Sequence, residues 1–327
     1  MKPPLAVTIS PEHLGGRTKL RLDTLLVEIT GETRSFLQNQ IEQGRVLLNG
    51  QTTTKPSAFV RSGDVLQAEW KAAPPPAGAV AVAGDLKIIL EDEDLLVVDK
   101  PQGLVVHPAP SHQGETLVHY LLHHMESDAD FSETSADRPG IVHRLDKGTS
   151  GLMLIAKNRH AQAALTTQFK DRKIKKMYEA VVWDTLPGHG RFESKIGRDP
   201  VNRRKMSSRT HKGRDALTDW KSVRDFRHFS HVALFPHTGR THQLRVHLTE
   251  AKHPIVGDPL YGKGLTPARR KNLSPALADW IAGLDATLLH AAQLRFEHPT
   301  SHKAVHLLAP RPPVFDKTLQ LLEAEDQ

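Results

Sequence analysis

Arg138-Pro-Gly-Ile-Val-His-Arg-Leu-Asp-Lys-Gly-Thr-Ser-Gly151 holds one carboxylate, Asp146, two positions after the guanidinium of Arg144 and just ahead of a polar Gly/Thr/Ser loop. The run that follows, Leu152-Met-Leu-Ile-Ala156, has the unbroken apolar character of a buried strand. If His143 to Asp146 is extended, side chains alternate faces and Arg144 and Asp146 point the same way. A carboxylate and a guanidinium sharing an open face at a strand edge suit chemistry on an anionic substrate. They equally suit an ordinary surface ion pair, and these four residues alone do not decide between the two.

The chain around this stretch has 327 residues, enough for two domains, and its 38% hydrophobic and 25% charged content fits a globular protein. No apolar run approaches the roughly 20 residues needed to span a bilayer. The start, Met1-Lys-Pro-Pro-Leu-Ala, lacks the apolar core of a secretory signal. The absence of cysteine excludes disulfides, thiolate zinc sites and a cysteine nucleophile, and a cytoplasmic location is expected. The formal charge is +7, yet residues 170–215 alone carry 14 Lys/Arg against 6 Asp/Glu, an excess larger than that of the whole protein. Arg203, Arg204 and Lys205 are the densest part of this zone, which favours a polyanionic partner, most simply nucleic acid.

Lys71-Ala-Ala-Pro-Pro-Pro-Ala-Gly-Ala-Val-Ala-Val-Ala-Gly84 reads as an extended linker. It divides a small domain, residues 1–70, from a larger one, residues 85–327. In the small domain two short amphipathic helices, over 21–26 and 33–41, precede a strand that ends in an Asn49-Gly50 hairpin turn, and a further strand covers 62–69. Arg21, Arg34 and Arg45 are spaced through it. The larger domain opens with two apolar runs, 86–90 and 95–100, and Pro101 should end the second. Helices are expected over 116–125 and 161–169, the latter capped by Asn158, and strands over 178–183, 217–223 and 231–235. Thr241 is positioned to cap a helix whose buried stripe is Leu244, Leu248 and Ala251, with Arg245 at its border. Such a strand-rich mixture with few helices is α+β.

Four signatures follow the linker in order: Asp99-Lys-Pro-Gln-Gly-Leu-Val-Val-His-Pro108, His143-Arg-Leu-Asp146 with Thr149-Ser-Gly151, Lys175-Lys-Met-Tyr178-Glu-Ala, and Thr238-Gly-Arg-Thr-His-Gln-Leu-Arg245, trailed by His253-Pro-Ile-Val-Gly-Asp-Pro-Leu-Tyr-Gly262. Over residues 86–310 the chain resembles the RluA-type family of RNA pseudouridine synthases. Residues 17–70 resemble the RNA-binding module named after ribosomal protein S-four. The combined architecture is most similar to the ribosomal large subunit enzymes, and Arg138-Pro-Gly-Ile-Val-His143 to their D-type branch. Lys147-Gly148 departs slightly from the family pattern, in a loop that bears on target choice more than on chemistry.

The resemblance implies a mainly antiparallel mixed sheet with flanking helices, and an isomerase that converts uridine to pseudouridine in large-subunit (23S) ribosomal RNA. The N1 glycosidic bond breaks, the uracil turns, and C5 joins the sugar. No redox change occurs and no group is added, so no cofactor and no metal are expected. Asp146 matches the catalytic aspartate, suited to attack at the anomeric carbon or to a glycal route. Arg245 matches the arginine that pairs with it, since an opposite charge at close range favours the ionised carboxylate. Tyr178 matches the tyrosine that stacks on the target base, and Arg144 the arginine that enters the stack the base has left. Arg240, with His242, is expected to organise the turn before the helix and joins Arg144, Arg203, Arg204, Lys205, Arg21, Arg34 and Arg45 as an RNA-binding candidate. Leu289-His290 is expected to pack as pocket wall. The implied partner is ribosomal RNA or a precursor particle, without a membrane, and a monomer suffices.

Other readings are sharper to exclude. His242, His247 and His253 cluster in sequence, but no His-Glu-x-x-His spacing accompanies them. No dinucleotide or phosphate-loop glycine motif is present. A catalytically silent RNA-binding or ribosome-assembly factor on the same fold is the alternative, and a nucleobase glycosylase would break the same bond but release the base.

Overall fold

A computed structural model of the protein describes residues 4–30, 34–70, 80–108, 112, 114–125, 139–210 and 212–326, with residues 34–36 and 39 in backbone only. Arg138, residues 71–79 of the Pro/Ala tract and the side chain of Arg34 therefore lie outside the described residues. The chain forms two compact units, Met1–Gly78 and Ala79–Gln327.

In the first unit, strands β1 (Leu5–Thr8), β2 (Leu20–Arg21), β3 (Val46–Leu48), β4 (Gln51–Thr53), β5 (Phe59–Val60) and β6 (Val65–Ala68) accompany helices α1 (Leu22–Thr30) and α2 (Arg34–Glu42). Asn49 and Gly50 are both left-handed, with φ of 53° and 77°, which is the twist a two-residue β3–β4 hairpin demands. The main sheet runs β1-β6-β3-β4. Leu22, Leu25 and Leu26, spaced for one helical face, are buried against Leu37, Ile41, Val46 and Leu66.

The second unit is built on β7 (Ile88–Glu91), β8 (Leu95–Lys100), β9 (Ser150–Ala156), β10 (Lys175–Trp183), β11 (His189–Arg198), β12 (Met206–Ser207), β13 (Arg214–Phe226), β14 (Phe229–Pro236), β15 (Leu289–Glu297) and β16 (Ala304–Leu308). Its helices are α3 (Leu117–His124), α4 (Arg159–Lys170), α5 (Gln243–Glu250), α6 (Pro267–Arg270), α7 (Pro275–Ala282) and α8 (Pro313–Glu325). One sheet joins all ten strands in the order β12-β11-β13-β14-β10-β15-β9-β8-β7, with β16 also on β15. Every pairing is antiparallel except a short parallel contact of β15 with β9. This is the α+β class that the sequence pattern implies, with the mainly antiparallel sheet that the resemblance implies.

Period-two alternation explains why the central strands are apolar throughout. Leu96, Val98, Met153 and Ile155 face one core, with Leu117, Leu121 and Trp183, while Leu95, Val97, Leu152, Leu154 and Ala156 face another, with Ala161 and Leu165. Helix ends follow local chemistry. The Asn158 side chain accepts from the Ala161 N–H at 2.8 Å and caps α4, as its position predicts. Thr116 caps α3, with His119 reaching back to the Thr116 N–H at 2.9 Å in place of the usual glutamate.

The last residues of the Pro/Ala tract pack on α3: the Val82 N–H donates to the His119 carbonyl at 3.2 Å, and a Cβ on Gly84 would sit 2.5 Å from the Tyr120 ring. Two expectations for α5 are corrected. Thr241 does not cap α5. It is exposed, and His242 occupies the cap position in a left-handed conformation, φ 57°, without a side-chain cap hydrogen bond. Ala251 likewise falls at the C-terminal cap, half-buried, while Val246 and His247 join Leu244 and Leu248 on the buried side.

Candidate active site

Three segments converge on a cleft of about 830 Å³: the loop ahead of β9, the first half of β10, and the turn between β14 and α5. The first ends at Gly151, whose φ is 109° and where a Cβ would meet the Ala291 carbonyl oxygen at 2.3 Å. Only glycine lets β9 and β15 approach this closely, and that contact anchors the loop bearing Asp146. The loop is not a strand, yet the expected alternation holds. Leu145 is buried, whereas Arg144 and Asp146 both line the cleft. Thr149 N–H donates to the Asp146 carbonyl at 3.0 Å and closes the turn.

The Asp146 carboxylate accepts from Arg245 Nη1 at 3.0 Å, with 19% of its side chain exposed. That pairing is what the resemblance implied. What spacing alone did not reveal is the second carboxylate behind it. Asp258, with no exposed side-chain surface, takes Arg245 Nε at 2.7 Å and Nη2 at 2.9 Å in a two-pronged grip. The Leu260 and Tyr261 backbone N–H groups donate to the same Asp258 carboxylate at 2.9 and 3.0 Å. Burial on its own would lower the Arg245 pKa, but the hydrogen bonds and charge of Asp258, then Asp146, outweigh it and raise it. Asp258 is held low against its own burial by Arg245 and those backbone donors. The guanidinium is thus permanently charged and aimed, with one nitrogen left for Asp146.

Tyr178 on β10 lines the same cleft and is buried. Burial, reinforced by the charge of Asp146, raises its phenol pKa, so the group stands in the cleft as neutral phenol and aromatic face. Next to it, loss of solvent pulls the half-buried Lys176 ammonium down to about 8. His143, which the leading motif places beside Arg144, is structural: its Nε2 accepts from the Leu154 N–H at 2.9 Å, and burial, then Lys176, pushes it down to about 3. Lys100 is fully buried, and its Nζ donates to the carbonyls of Pro101 and Leu104 at 2.8 and 2.9 Å. Burial lowers it to about 7 against the opposing charges of Asp146 and Asp99.

The turn before α5 is organised by Gln243. Its Oε1 accepts from the Arg240 N–H at 3.0 Å and from Thr238 Oγ1 at 2.7 Å, and its Nε2 donates to the Leu217 carbonyl at 3.0 Å. Arg240 itself extends along the cleft wall, Nε donating to the Asp215 carbonyl at 3.0 Å. Burial, then the nearby Arg214 and Arg172, lowers its pKa against the opposing charge of Asp215. His242 places Nε2 3.9 Å from Asp146 and is tied through Nδ1 to the Tyr261 hydroxyl at 2.9 Å. Leu289 lines the cleft, while His290 is buried against Ser150 Oγ at 2.9 Å, so this pair packs as expected.

The remaining RNA-binding candidates are scattered. Arg203 and Arg204 are exposed on the loop before β12, whereas Lys205 is half-buried with Nζ 5.4 Å from the Tyr261 ring centroid. In the first unit Arg21 grips buried Asp23 with two hydrogen bonds of 2.9 Å, and Arg45 reaches Gln40 Oε1 at 3.2 Å. Among the described residues, the group with the geometry to hold a metal is Asp92, Asp94 and His298, not the histidines that cluster in sequence.

Residues 94–250 match the family described as RNA pseudouridylate synthase, and residues 20–66 match the S4 domain. The chain is 39% identical to an uncharacterized RNA pseudouridine synthase of Chlorobaculum parvum, over 93% of this chain and 94% of that one. It is 37% identical to the ribosomal large subunit pseudouridine synthase D of Pseudomonas aeruginosa, over 96% of this chain and 95% of the relative. Among solved structures, human RNA pseudouridylate synthase domain containing 1 superposes with a TM-score of 0.53 at 27% identity, over 73% of this chain and 95% of its own. With relatives this similar along nearly the whole length of both chains, the protein belongs to the RNA pseudouridine synthase family, an isomerase with an S4 domain ahead of its synthase domain.

Proposed function

We propose that the protein isomerises specific uridines of large-subunit (23S) ribosomal RNA, with Asp146 as the catalytic carboxylate. The observation that carries this reading is the Asp146 carboxylate, held at 3.0 Å by an arginine whose other nitrogens are locked by Asp258, at the base of an 830 Å³ cleft. A cleft of that size accommodates a flipped-out nucleotide. The uridine enters with C1′ towards Asp146 and its base against the Tyr178 ring, and Arg144 at the rim fills the vacated stack. Asp146 either attacks C1′ as N1 departs or takes a sugar proton on the way to a glycal. The freed uracil turns within the cleft, and C5 bonds to C1′ as the Asp146–C1′ ester breaks or, on the glycal route, as Asp146 returns the sugar proton; the C5 proton then leaves as N1 gains one. Atoms balance without an oxidant, a metal or water.

Arg245 in this scheme is a positioning residue that keeps Asp146 charged and oriented, while Arg240, Arg214 and Arg172 supply positive charge for the flanking phosphates. The S4 domain, residues 1–70 ahead of the 71–84 linker, adds a second RNA contact in which Arg21, Arg34 and Arg45 are the candidates. The working unit in this reading is a monomer. A ribosomal substrate places it in the cytoplasm, in keeping with described helices none of which is long and apolar enough to cross a membrane.

The target is tested by carbodiimide mapping of ribosomal RNA from cells with and without the gene. Specific large-subunit positions should lose their pseudouridine stops when the gene is removed. Stops lost only from small-subunit or transfer RNA would refute the ribosomal large-subunit target.

A further inference from the structure

On the far side of the turn that closes α4, two cations and a histidine stand in register across adjacent strands. Lys175 of β10 lies directly opposite Arg295 of β15, and Arg295 directly opposite His306 of β16. Like charges in such cross-strand pairs destabilise a sheet. Sequence gives no sign of this row, because Lys175 is more than a hundred residues from the other two and they meet only through the pairing. With strands roughly 4.8 Å apart, the row is about 10 Å long.

The row floors a shallow groove of about 490 Å³, lined also by Lys173, Phe296, Glu297 and His302. Among the described residues none of Lys173, Lys175, Arg295 and His306 is in an ion pair; Lys175 Nζ donates only to the Arg172 carbonyl at 3.3 Å. Glu297, the acidic residue of the groove, is held by His302 at 2.9 Å. Lys173, Lys175 and Arg295 therefore have no carboxylate bound to them among the described residues. The row is also linked to the cleft along the chain. Lys170 and Arg172 line the cleft, and Lys173 and Lys175 line the groove, so the turn between α4 and β10 carries positive charge from one to the other.

We infer that the Lys175–Arg295–His306 row is a second RNA-backbone site, taking consecutive phosphates of the strand that leaves the cleft. This rests on the reading of the cleft as an RNA-modifying site. Phosphates meet the row's charge without any base readout, so it adds affinity and direction to the bound strand rather than sequence choice. An extended single strand suits it, because a row of cations across neighbouring strands tracks a backbone without reading bases.

The test compares wild type with a Lys175→Gln/Arg295→Gln variant in filter binding to a large-subunit ribosomal RNA transcript across a salt series. Loss of two single-strand phosphate contacts should weaken binding roughly tenfold at moderate salt and flatten the log–log salt slope by about 1.4. A charge-matched Lys271→Gln/Lys317→Gln variant, altered at exposed lysines elsewhere, should keep the wild-type slope. The melting temperature of the first variant should stay level or rise, since an in-register repulsion is removed. An unchanged slope in that variant, or an equal loss in the charge-matched control, overturns the proposal. Binding is read without turnover, so its outcome is separate from the isomerase reading, which falls only if wild type forms no pseudouridine in the same transcript.

Discussion

Asp146 meets a single nitrogen of Arg245 because Asp258 holds the other two. An arginine on an open helix face would sample many rotamers, and the pairing would be loose. Here the buried second carboxylate fixes the fork, and backbone N–H groups of Leu260 and Tyr261 fix the carboxylate. Replacing Asp258 by Asn should therefore do two things at once. It breaks a buried ion pair, costing about 3–5 kcal/mol of stability, and it frees Arg245, lowering kcat on the folded fraction more than it raises KM. Denaturant unfolding and steady-state kinetics on the same preparation separate the two, and a fall in KM-dependent terms alone would contradict the positioning role. Lys176 provides a pH signature. Its ammonium titrates near 8 in the free protein, so the cation is present below that pH and lost above it. kcat/KM should decline as pH rises through about 8, since that ratio reports groups of the free enzyme. Lys176→Gln should start lower at pH 7 and lack this limb; an identical pH profile in the variant would remove Lys176 from substrate binding.

The elements that carry these residues differ in how far their sequences foretell them. β9 was legible because burial on both faces leaves the unbroken apolar run from Leu152 to Ala156, and α4 because Asn158 states where it begins. α5 was legible as a helix but not in its cap. The side chain that organises its entry is Gln243, which bonds backwards to Thr238 and Arg240 and across to β13, a tertiary arrangement with no local signature. The pairing of Asp146 with Arg245 entered through family resemblance; spacing could not bring residues 99 apart together. Asp258 was within a quoted motif, yet nothing in its neighbours says that it faces Arg245. Between β9 and β15, Gly151 is the element-level keystone. Gly151→Ala forces a side chain into the Ala291 backbone at a left-handed φ, so strands must part and the Asp146 loop must shift. The variant should melt several degrees lower and lose activity beyond the fraction unfolded. A melting temperature and activity equal to wild type would show that the strands do not depend on this close approach.

Across the whole molecule, the excess charge of residues 170–215 is not one patch. β-strand pairing distributes it among the cleft wall, the loop before β12 and the groove beside β16. Some of it is internally spent, as where Arg191 pairs with Asp219 at 2.6 Å or Lys205 lies over Tyr261. Charge reversal at exposed Arg203 and Arg204 should weaken RNA binding by more than tenfold at low salt, with unfolding unchanged within about 0.5 kcal/mol. Reversal at Lys205 should also disturb the packing of Tyr261. Equal affinity of the Arg203/Arg204 variant at low and moderate salt would take that loop out of the RNA surface.

The central claim, that Asp146 turns a uridine over without losing its base, is tested most directly by tritium release from ribosomal RNA labelled at uracil C5. Wild type should release tritium in proportion to pseudouridine formed, with no abasic sites, while Asp146→Asn should bind the RNA and release none above background. Release that persists in Asp146→Asn, or wild-type release accompanied by abasic sites, would contradict it.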